Sequence, residues 1–312
     1  MGKTDLMNFP CDLFCSQILT RLPLKEAVRF SAVSRKWCRA WTRLSHLQFS
    51  DDFFISISTT PTKRKAVSKL TRQNIAVDII NKIILMQCGG LEIFELDSCV
   101  GFESSIHKWL LWISSSGVKC IDLKNNGLQL EVSESIFSCV TLTSLSLLNF
   151  KMIKVPPLFQ GFSQLVTCFL EYVELSSATF KAILKLCRLL ESLTLSECEL
   201  PSNLKIISLS LKSLALLGLY IYSIKANCPR LESIKIIECN DLKIGNICLP
   251  VCVHLETDFW LLKDFSTIKS LRKIACSEDV DYTSTKTFLI FKLVILNKLK
   301  FSQESFIANQ QF

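Results

Sequence analysis

The 312-residue chain is short of the residues that most enzymes use for proton transfer and phosphate binding. It has nine glycines and three histidines, His46, His107 and His254. No Gly-rich phosphate loop, G-x-S-x-G elbow or H-E-x-x-H run occurs. Each of those motifs fixes a nucleophile, a base or a set of backbone amides by local geometry. An enzyme is therefore not expected, nor any cofactor. The chain is also without a C-x-x-C pair, although it holds fifteen cysteines. Zinc's usual ligand spacing is missing, so no metal site is expected. Met1 to Pro10 carries Lys3 and Asp5 and no apolar core, so no secretory leader is expected. That places the thiols, reduced, in the cytoplasm and/or nucleus. No unbroken run approaches the about 20 apolar residues that a membrane span needs. The most apolar window, Ile206 to Ile224, is interrupted by Lys212 and several serines. A membrane partner is not expected.

What the chain does have is apolar residues and a pattern. Hydrophobic residues make up 49% and charged residues 21%, a composition that builds a packed core. The net charge of +8 lies at one end. Residues 1–90 hold 14 Lys/Arg against 6 Asp/Glu, and residues 91–312 hold 22 of each. A repeat domain that reads nucleic acid should carry a basic stripe of its own. With no net excess after residue 90, a nucleic-acid partner is not expected.

The pattern is a repeat. Leu190-Glu-Ser-Leu193-Thr-Leu195-Ser-Glu-Cys198-Glu-Leu200 fits L-x-x-L-x-L-x-x-N/C-x-L at every position. Val118-Lys-Cys-Ile121-Asp-Leu123-Lys-Asn-Asn126-Gly-Leu128 fits it nearly as well. Looser copies start at Leu91, Leu142, Leu165, Leu211, Leu231 and Leu271, in steps of 20 to 27 residues apart from a last step of 40. That double step predicts a degenerate copy near Val251 to Leu255. The template is the leucine-rich-repeat signature. Its L-x-L core alternates with period two, as a short strand does when one face is buried. Parallel stacking of such strands buries an apolar face that no single repeat covers alone. Cysteines fall in register: Cys88, Cys139, Cys187 and Cys228 lie three residues before a copy, and Cys99, Cys198 and Cys239 at position nine. Small buried thiols at fixed repeat positions account for this, and Asn126 at position nine is expected to satisfy turn backbone.

Residues 9–47 carry a helical pattern instead. Phe14, Ile18 and Leu22 recur every four residues, and Leu22-Pro23 ends that helix. Leu24 to Ser31 predicts a second one. Val33, Trp37, Ala40, Trp41, Leu44 and Leu47 follow helical spacing, opposite Arg35, Lys36, Arg39 and Arg43. Ala76, Ile79, Ile80, Ile83 and Ile84 share one face of a further helix, and Trp109 is read as core beside Ile106, Leu110 and Ile113.

The run Phe9-Pro10, Asp12-Leu13, Ile18-Leu19, Leu22-Pro23-Leu-Lys25-Glu26-Ala27-Val28-Arg29, Ser31-Ala-Val33-Ser34-Arg35-Lys36-Trp37 and Trp41 resembles the F-box of plant F-box/leucine-rich-repeat proteins. The likeness extends to about residue 280. Two features depart from that family's pattern. Phe9 stands where Leu is usual, and the Pro10-to-Ile18 interval is one residue longer, which turns later side chains by about 100°.

The resemblance and the repeats together imply an α+α/β architecture: a small three-helix F-box followed by a leucine-rich-repeat α/β solenoid, or horseshoe. The expected organisation is 5–50 for the helical module, 51–90 for a linker and packing helix, 91–282 for the solenoid and 283–312 for an irregular end. Thr59 to Lys65 is read as a solvated linker, with a nuclear-import signal as the other reading. By the resemblance, Phe9, Pro10, Leu13, Ile18, Leu19, Leu22, Pro23, Ala27, Val28, Val33 and Trp37 would meet a Skp-type adaptor and, through it, a cullin ubiquitin ligase. The repeats would hold the target protein, and Glu92, Lys119, Thr143, Thr194, Lys235 and Lys273 are the expected contact positions. The alternative is a non-catalytic protein-binding scaffold whose F-box no longer engages the adaptor.

Overall fold

The computed structural model describes residues 22, 24–32, 39–50, 53–54, 69–97, 102–152, 155–239, 242–258, 261, 271 and 273–276. The chain divides into two compact units, Met1–Leu190 and Glu191–Phe312.

In the first unit, helix α1 (Leu24–Ser31) coincides with the expected second helix. Its inward positions, Leu24 and Ala27, are buried. A single 3-10 turn, Ala40–Arg43, follows, and there the expected helix stops. Leu44 is extended (φ −62°, ψ 131°), and His46–Phe49 is a strand, β1. The i, i+3 spacing of Leu44 and Leu47 belongs to both a helix and the L-x-x-L of a repeat, so spacing alone could not separate them. Leu44-Ser-His-Leu47-Gln-Phe49 is thus a further repeat copy, and all three apolar side chains are buried. The repeat sheet starts inside the residues expected to form the helical module.

β1 pairs in parallel with β2 (Ile93–Leu96). The sheet continues through β3 (Cys120–Lys124), β5 (Ser144–Leu148) and β7 (Thr167–Glu171), every pair parallel and in register. The short strands β4 (Leu130–Glu131) and β6 (Phe150–Lys151) pair with each other. In each sheet strand the second and fourth residues are buried: Phe94 and Leu96, Ile121 and Leu123, Leu145 and Leu147, Cys168 and Leu170. Fully burying a side chain of this size stabilises by roughly 1.5–3 kcal/mol, and the same two positions recur from strand to strand. The return segments are helical where the repeat is longest. Helix α2 (Lys69–Met86) buries Ala76, Ile80, Ile83 and Ile84. Helix α3 (Glu103–Ser115) buries Ile106, Trp109, Leu110 and Ile113, and Trp109 Nε1 donates to Asn81 Oδ1 of α2 at 2.8 Å. Gly117, in the left-handed region (φ 76°), ends that helix. Helix α4 (Ser177–Leu186) is capped by Ser176, whose hydroxyl accepts from Thr179 N at 3.1 Å. Gly161 has φ 99°, and a Cβ there would lie 2.3 Å from Leu186 O, so only glycine fits against the end of α4.

In the second unit, β8 (Ser192–Ser196), β10 (Ser213–Leu217), β12 (Ser233–Ile237), β14 (His254–Thr257) and β15 (Lys273–Cys276) form a parallel set. The returns are also strands: β9 (Asn203–Ile207), β11 (Ser223–Asn227) and β13 (Lys243–Cys248) make a second parallel sheet. Repeat length explains this. Five strand residues rise about 17 Å, whereas a helix needs about 11 residues for the same distance. A repeat of 20 or 21 residues leaves no room for the helix and both turns. The degenerate copy is present, with Cys252 in the first apolar position and Leu255 and Thr257 in the strand, all buried. Val251 is exposed.

Candidate protein-interaction face

β1, β2, β3, β5, β7, β8, β10, β12 and β14 each bury two residues and turn the others to the opposite face, since side chains alternate. In the first unit that face has a centre row, one residue per strand, set by the pairing register: Gln48, Glu95, Asp122, Ser146 and Phe169. In the second unit the register aligns Thr194, Ala215, Lys235, Glu256 and Ala275 in the same way.

Electrostatics on these rows run between neighbouring repeats. Glu95 and Asp122 stand opposite each other in the register. Like charges in that relation destabilise a pair of strands. Each has a partial partner: His46 Nε2 lies 3.4 Å from Glu95 Oε1, and Lys124 Nζ lies 3.9 Å from Asp122 Oδ2. Asp122 Oδ1 is buried without a hydrogen-bond partner. Lys124 is held mainly by Asp97, at 2.9 Å. That hydrogen bond raises the Lys124 pKa above the usual lysine value, against a smaller opposing effect of burial. Lys119–Glu92 (2.5 Å), Lys212–Glu191 (2.8 Å) and Lys235–Glu256 (2.7 Å) also join successive repeats. These pairs are half-exposed, so each contributes about 0–1 kcal/mol and serves more to fix register and surface chemistry.

The six expected contact positions do not share one row. Glu92, Lys119 and Thr143 lie one residue before their strands, Thr194 and Lys235 lie in the centre row, and Lys273 opens β15. Glu92 and Lys119 are exposed, and Thr143, Thr194 and Lys235 are half-exposed. The reading from sequence left out Glu95, Asp122, Phe169 and Glu256. Counting two residues on from each strand's first residue would have found them.

The edge of this face is set by the turn that follows each strand. Asn149, Tyr172, Glu197, Gly218 and Glu238 occupy the same repeat position, and all have positive φ, from 48° to 62°. In the copy that starts at Val118 the equivalent residue is Asn125, which is buried. Asn126, expected to serve the turn, is exposed instead. Leu128 is 90% exposed and not in the core. The reason is an inserted loop: β4 pairs with β6 so that Leu130 stands opposite Phe150, and Asn125 to Gln129 bulge out before the pattern resumes with buried Val132.

The cysteines are mostly packing residues. Cys139, Cys187 and Cys228, three residues before their copies, are buried, and so are Cys198 and Cys239. Cys88 is exposed, and Cys99 lies outside the described residues. Burial pushes the Cys139 thiol up to about 12 and those of Cys239 and Cys252 to about 11. Thiols held so far from their thiolate form are poor nucleophiles at neutral pH.

Of the expected adaptor-contact residues, Leu22 is half-buried, Ala27 is buried and Val28 is exposed. Ala27 faces inward in α1 and offers a partner no surface. Phe9, Pro10, Leu13, Ile18, Leu19, Pro23, Val33 and Trp37 lie outside the described residues.

Comparison with known proteins places both parts. Residues 14–49 match the F-box domain, and residues 106–256 match the leucine-rich repeats of the family described as FBD-associated F-box protein At5g56370. In both parts the chain is similar to the F-box/leucine-rich-repeat family. One relative of that family is the F-box/FBD/LRR-repeat protein At1g13570 of Arabidopsis thaliana, 29% identical over 276 residues, which are 87% of this chain and 60% of the relative. The putative F-box/FBD/LRR-repeat protein At1g66290 of the same plant is 26% identical over 75% of this chain and 51% of its own length. The putative F-box/LRR-repeat protein At3g42770, also from Arabidopsis thaliana, is 25% identical over 61% of this chain and 36% of its own length. The chain therefore spans about a third to three-fifths of these relatives. The F-box match runs to Phe49, so it ends on β1, where the repeat sheet begins.

Proposed function

We propose that this chain is a non-catalytic substrate-recognition subunit of a Skp/cullin/F-box-type ubiquitin ligase. Its N-terminal module, read as three short helices, would bind a Skp-type adaptor. The repeats, read as a horseshoe, would hold a target protein, and the ligation chemistry would occur on other subunits. The observation that carries the proposal is the succession of an F-box match at 14–49 and a leucine-rich-repeat match at 106–256 in one chain. The in-register strand face supports it, because it offers a mixed polar and apolar surface of the kind that protein partners use. Among the described residues no helix is long and apolar enough to cross a membrane. The setting proposed is the cytoplasm and/or nucleus, with neither nucleic acid nor membrane as partner.

Affinity capture from cells treated with a proteasome inhibitor tests this reading. The full chain should recover a Skp-type adaptor, a cullin and at least one ubiquitinated protein. Removal of residues 1–45 should lose the adaptor and cullin. Recovery of neither by the full chain would leave the scaffold reading in place of the ligase.

A further inference from the structure

The overall charge balance of residues 91–312 hides a separation of charge between faces. On the strand face of the first unit, the acidic side chains are Glu92, Glu95, Asp97, Asp122 and Glu171. Among the described lysines and arginines, Lys119 and Lys124 alone oppose them; Lys119 is held by Glu92, and Lys124 mainly by Asp97 with Asp122 farther off at 3.9 Å. Glu95, Asp122 and Glu171 are left in excess. The exposed charges of the return helices α3 and α4 are mostly of the opposite sign, with Lys108, Lys181 and Lys185 against Glu103. The fold thus gathers negative charge on one face of a chain that is basic overall.

The same face has an apolar end. Phe169 is the last centre-row residue of the first unit and is 39% exposed, and Tyr172, one turn position beyond β7, is 52% exposed. Asp122 and Phe169 are separated by one strand, β5, where the row carries only Ser146. Neighbouring strands lie about 4.8 Å apart, so the carboxylate and the aromatic ring are roughly 10 Å apart along the row. Two like charges stand next to each other at Glu95 and Asp122, with one buried carboxylate oxygen unpartnered. This arrangement costs stability in the free protein, and an incoming cation would offset the cost.

We propose that the strand face of the first unit docks a basic segment of the target protein, with a lysine or arginine at Glu95 and Asp122 and an apolar side chain about 10 Å away against Phe169 and Tyr172. The proposal rests on the reading of the repeats as the target-binding part. It narrows the target to proteins that expose such a segment. Charge complementarity of this kind sets encounter rate and specificity more than total affinity, so the docking should weaken with salt.

Two pools of random twelve-residue peptides test it against the full chain. One pool draws on Lys, Arg, Leu, Phe and Ser, and the other on Asp, Glu, Leu, Phe and Ser. The expected result is at least tenfold greater recovery of the basic pool at about 150 mM salt, with lysine or arginine and an apolar residue enriched at a fixed separation. Glu95→Gln/Asp122→Asn should cut recovery at least tenfold and raise the melting temperature, while Phe169→Ala should remove the apolar preference alone. Lys181→Ala on α4 should change none of these. Equal recovery of both pools, or full recovery by Glu95→Gln/Asp122→Asn, would overturn the proposal. Adaptor capture by the same variant separates the two levels. Retained adaptor with lost peptide binding supports this face as the docking site. No adaptor capture by the unsubstituted chain, with the basic pool still recovered, overturns the ligase reading and leaves the peptide site standing.

Discussion

Asn125 and Asn149 hold each other's backbone. Asn125 Nδ2 donates to Asn149 O at 3.1 Å, and Asn149 Nδ2 donates to Asn125 O at 3.0 Å. Asn149 also donates to Gly127 O at 2.7 Å, and Asn125 to Leu128 O at 2.5 Å. The inserted loop Asn125–Gln129 is closed by these amides, at the rim of the strand face. Asn149→Asp keeps the shape and the left-handed backbone preference but turns the donor into an acceptor facing carbonyl oxygens. It should cost about 1–3 kcal/mol. Asn126→Ala, one residue from Asn125 but exposed, should stay within about 0.5 kcal/mol. Urea unfolding of the two variants measures the contrast.

The two leucines that the repeat template treats as equal-ranking core residues are not equal. Leu195 is fully buried and Leu128 is 90% exposed. Leu195→Ala should destabilise by about 2–5 kcal/mol, as cavity-forming changes do. Leu128→Ala should change stability by less than about 0.5 kcal/mol. Similar losses at both positions, measured by denaturant midpoints, would show that the inserted loop is packed down.

A hydroxyl sits where most of the repeats put leucine or isoleucine. Thr257 is fully buried in β14, and its Oγ1 has no hydrogen-bond partner. Thr257→Val removes the unsatisfied group at nearly constant volume. An unpaired buried polar group costs about 1–3 kcal/mol, so the variant should gain roughly 1 kcal/mol, the low end of that range. A lower denaturant midpoint for Thr257→Val would mean that the hydroxyl is satisfied.

The buried thiols predict a specific alkaline weakness. Burial raises the folded-state pKa of Cys139 to about 12, and of Cys239 and Cys252 to about 11, from 9.0. The unfolded chain loses these protons first as pH rises. The contribution to stability is therefore complete below pH 9 and is lost progressively as pH climbs through 11 to 12. Cys239→Ala should flatten the decline of the urea midpoint between about pH 9 and 11 relative to the unsubstituted chain. A parallel decline in both proteins would assign the effect to other groups.

The strands were readable from sequence because the L-x-L alternation is set by burial of one face, and burial is what the composition records. Leu24–Ser31 and the core role of Trp109 were readable for the same reason. β1 was not, because Leu44 and Leu47 satisfy a helical spacing and a repeat spacing at once, and only pairing with β2 decides between them. The strand returns of the second unit were implicit in the shorter repeat length but needed the geometry of rise per residue. The displaced roles of Asn125, Asn126 and Leu128 follow from a loop insertion that a fixed template cannot register. The candidate face was legible only in outline. Which polar residues share a row depends on strand register, and register made neighbours of Glu95 and Asp122, 27 residues apart in the chain.

The central claim is that this chain couples an adaptor to a target, and adaptor binding is its most direct measure. Purified Skp-type adaptor should be captured by the full chain, and Leu22→Ala/Pro23→Ala should weaken capture by roughly tenfold or more, as loss of interface anchors worth about 1–4 kcal/mol requires. The variant should keep its repeat-domain melting transition. Equal capture by the unsubstituted chain and the double variant, or no capture by either, would contradict the account.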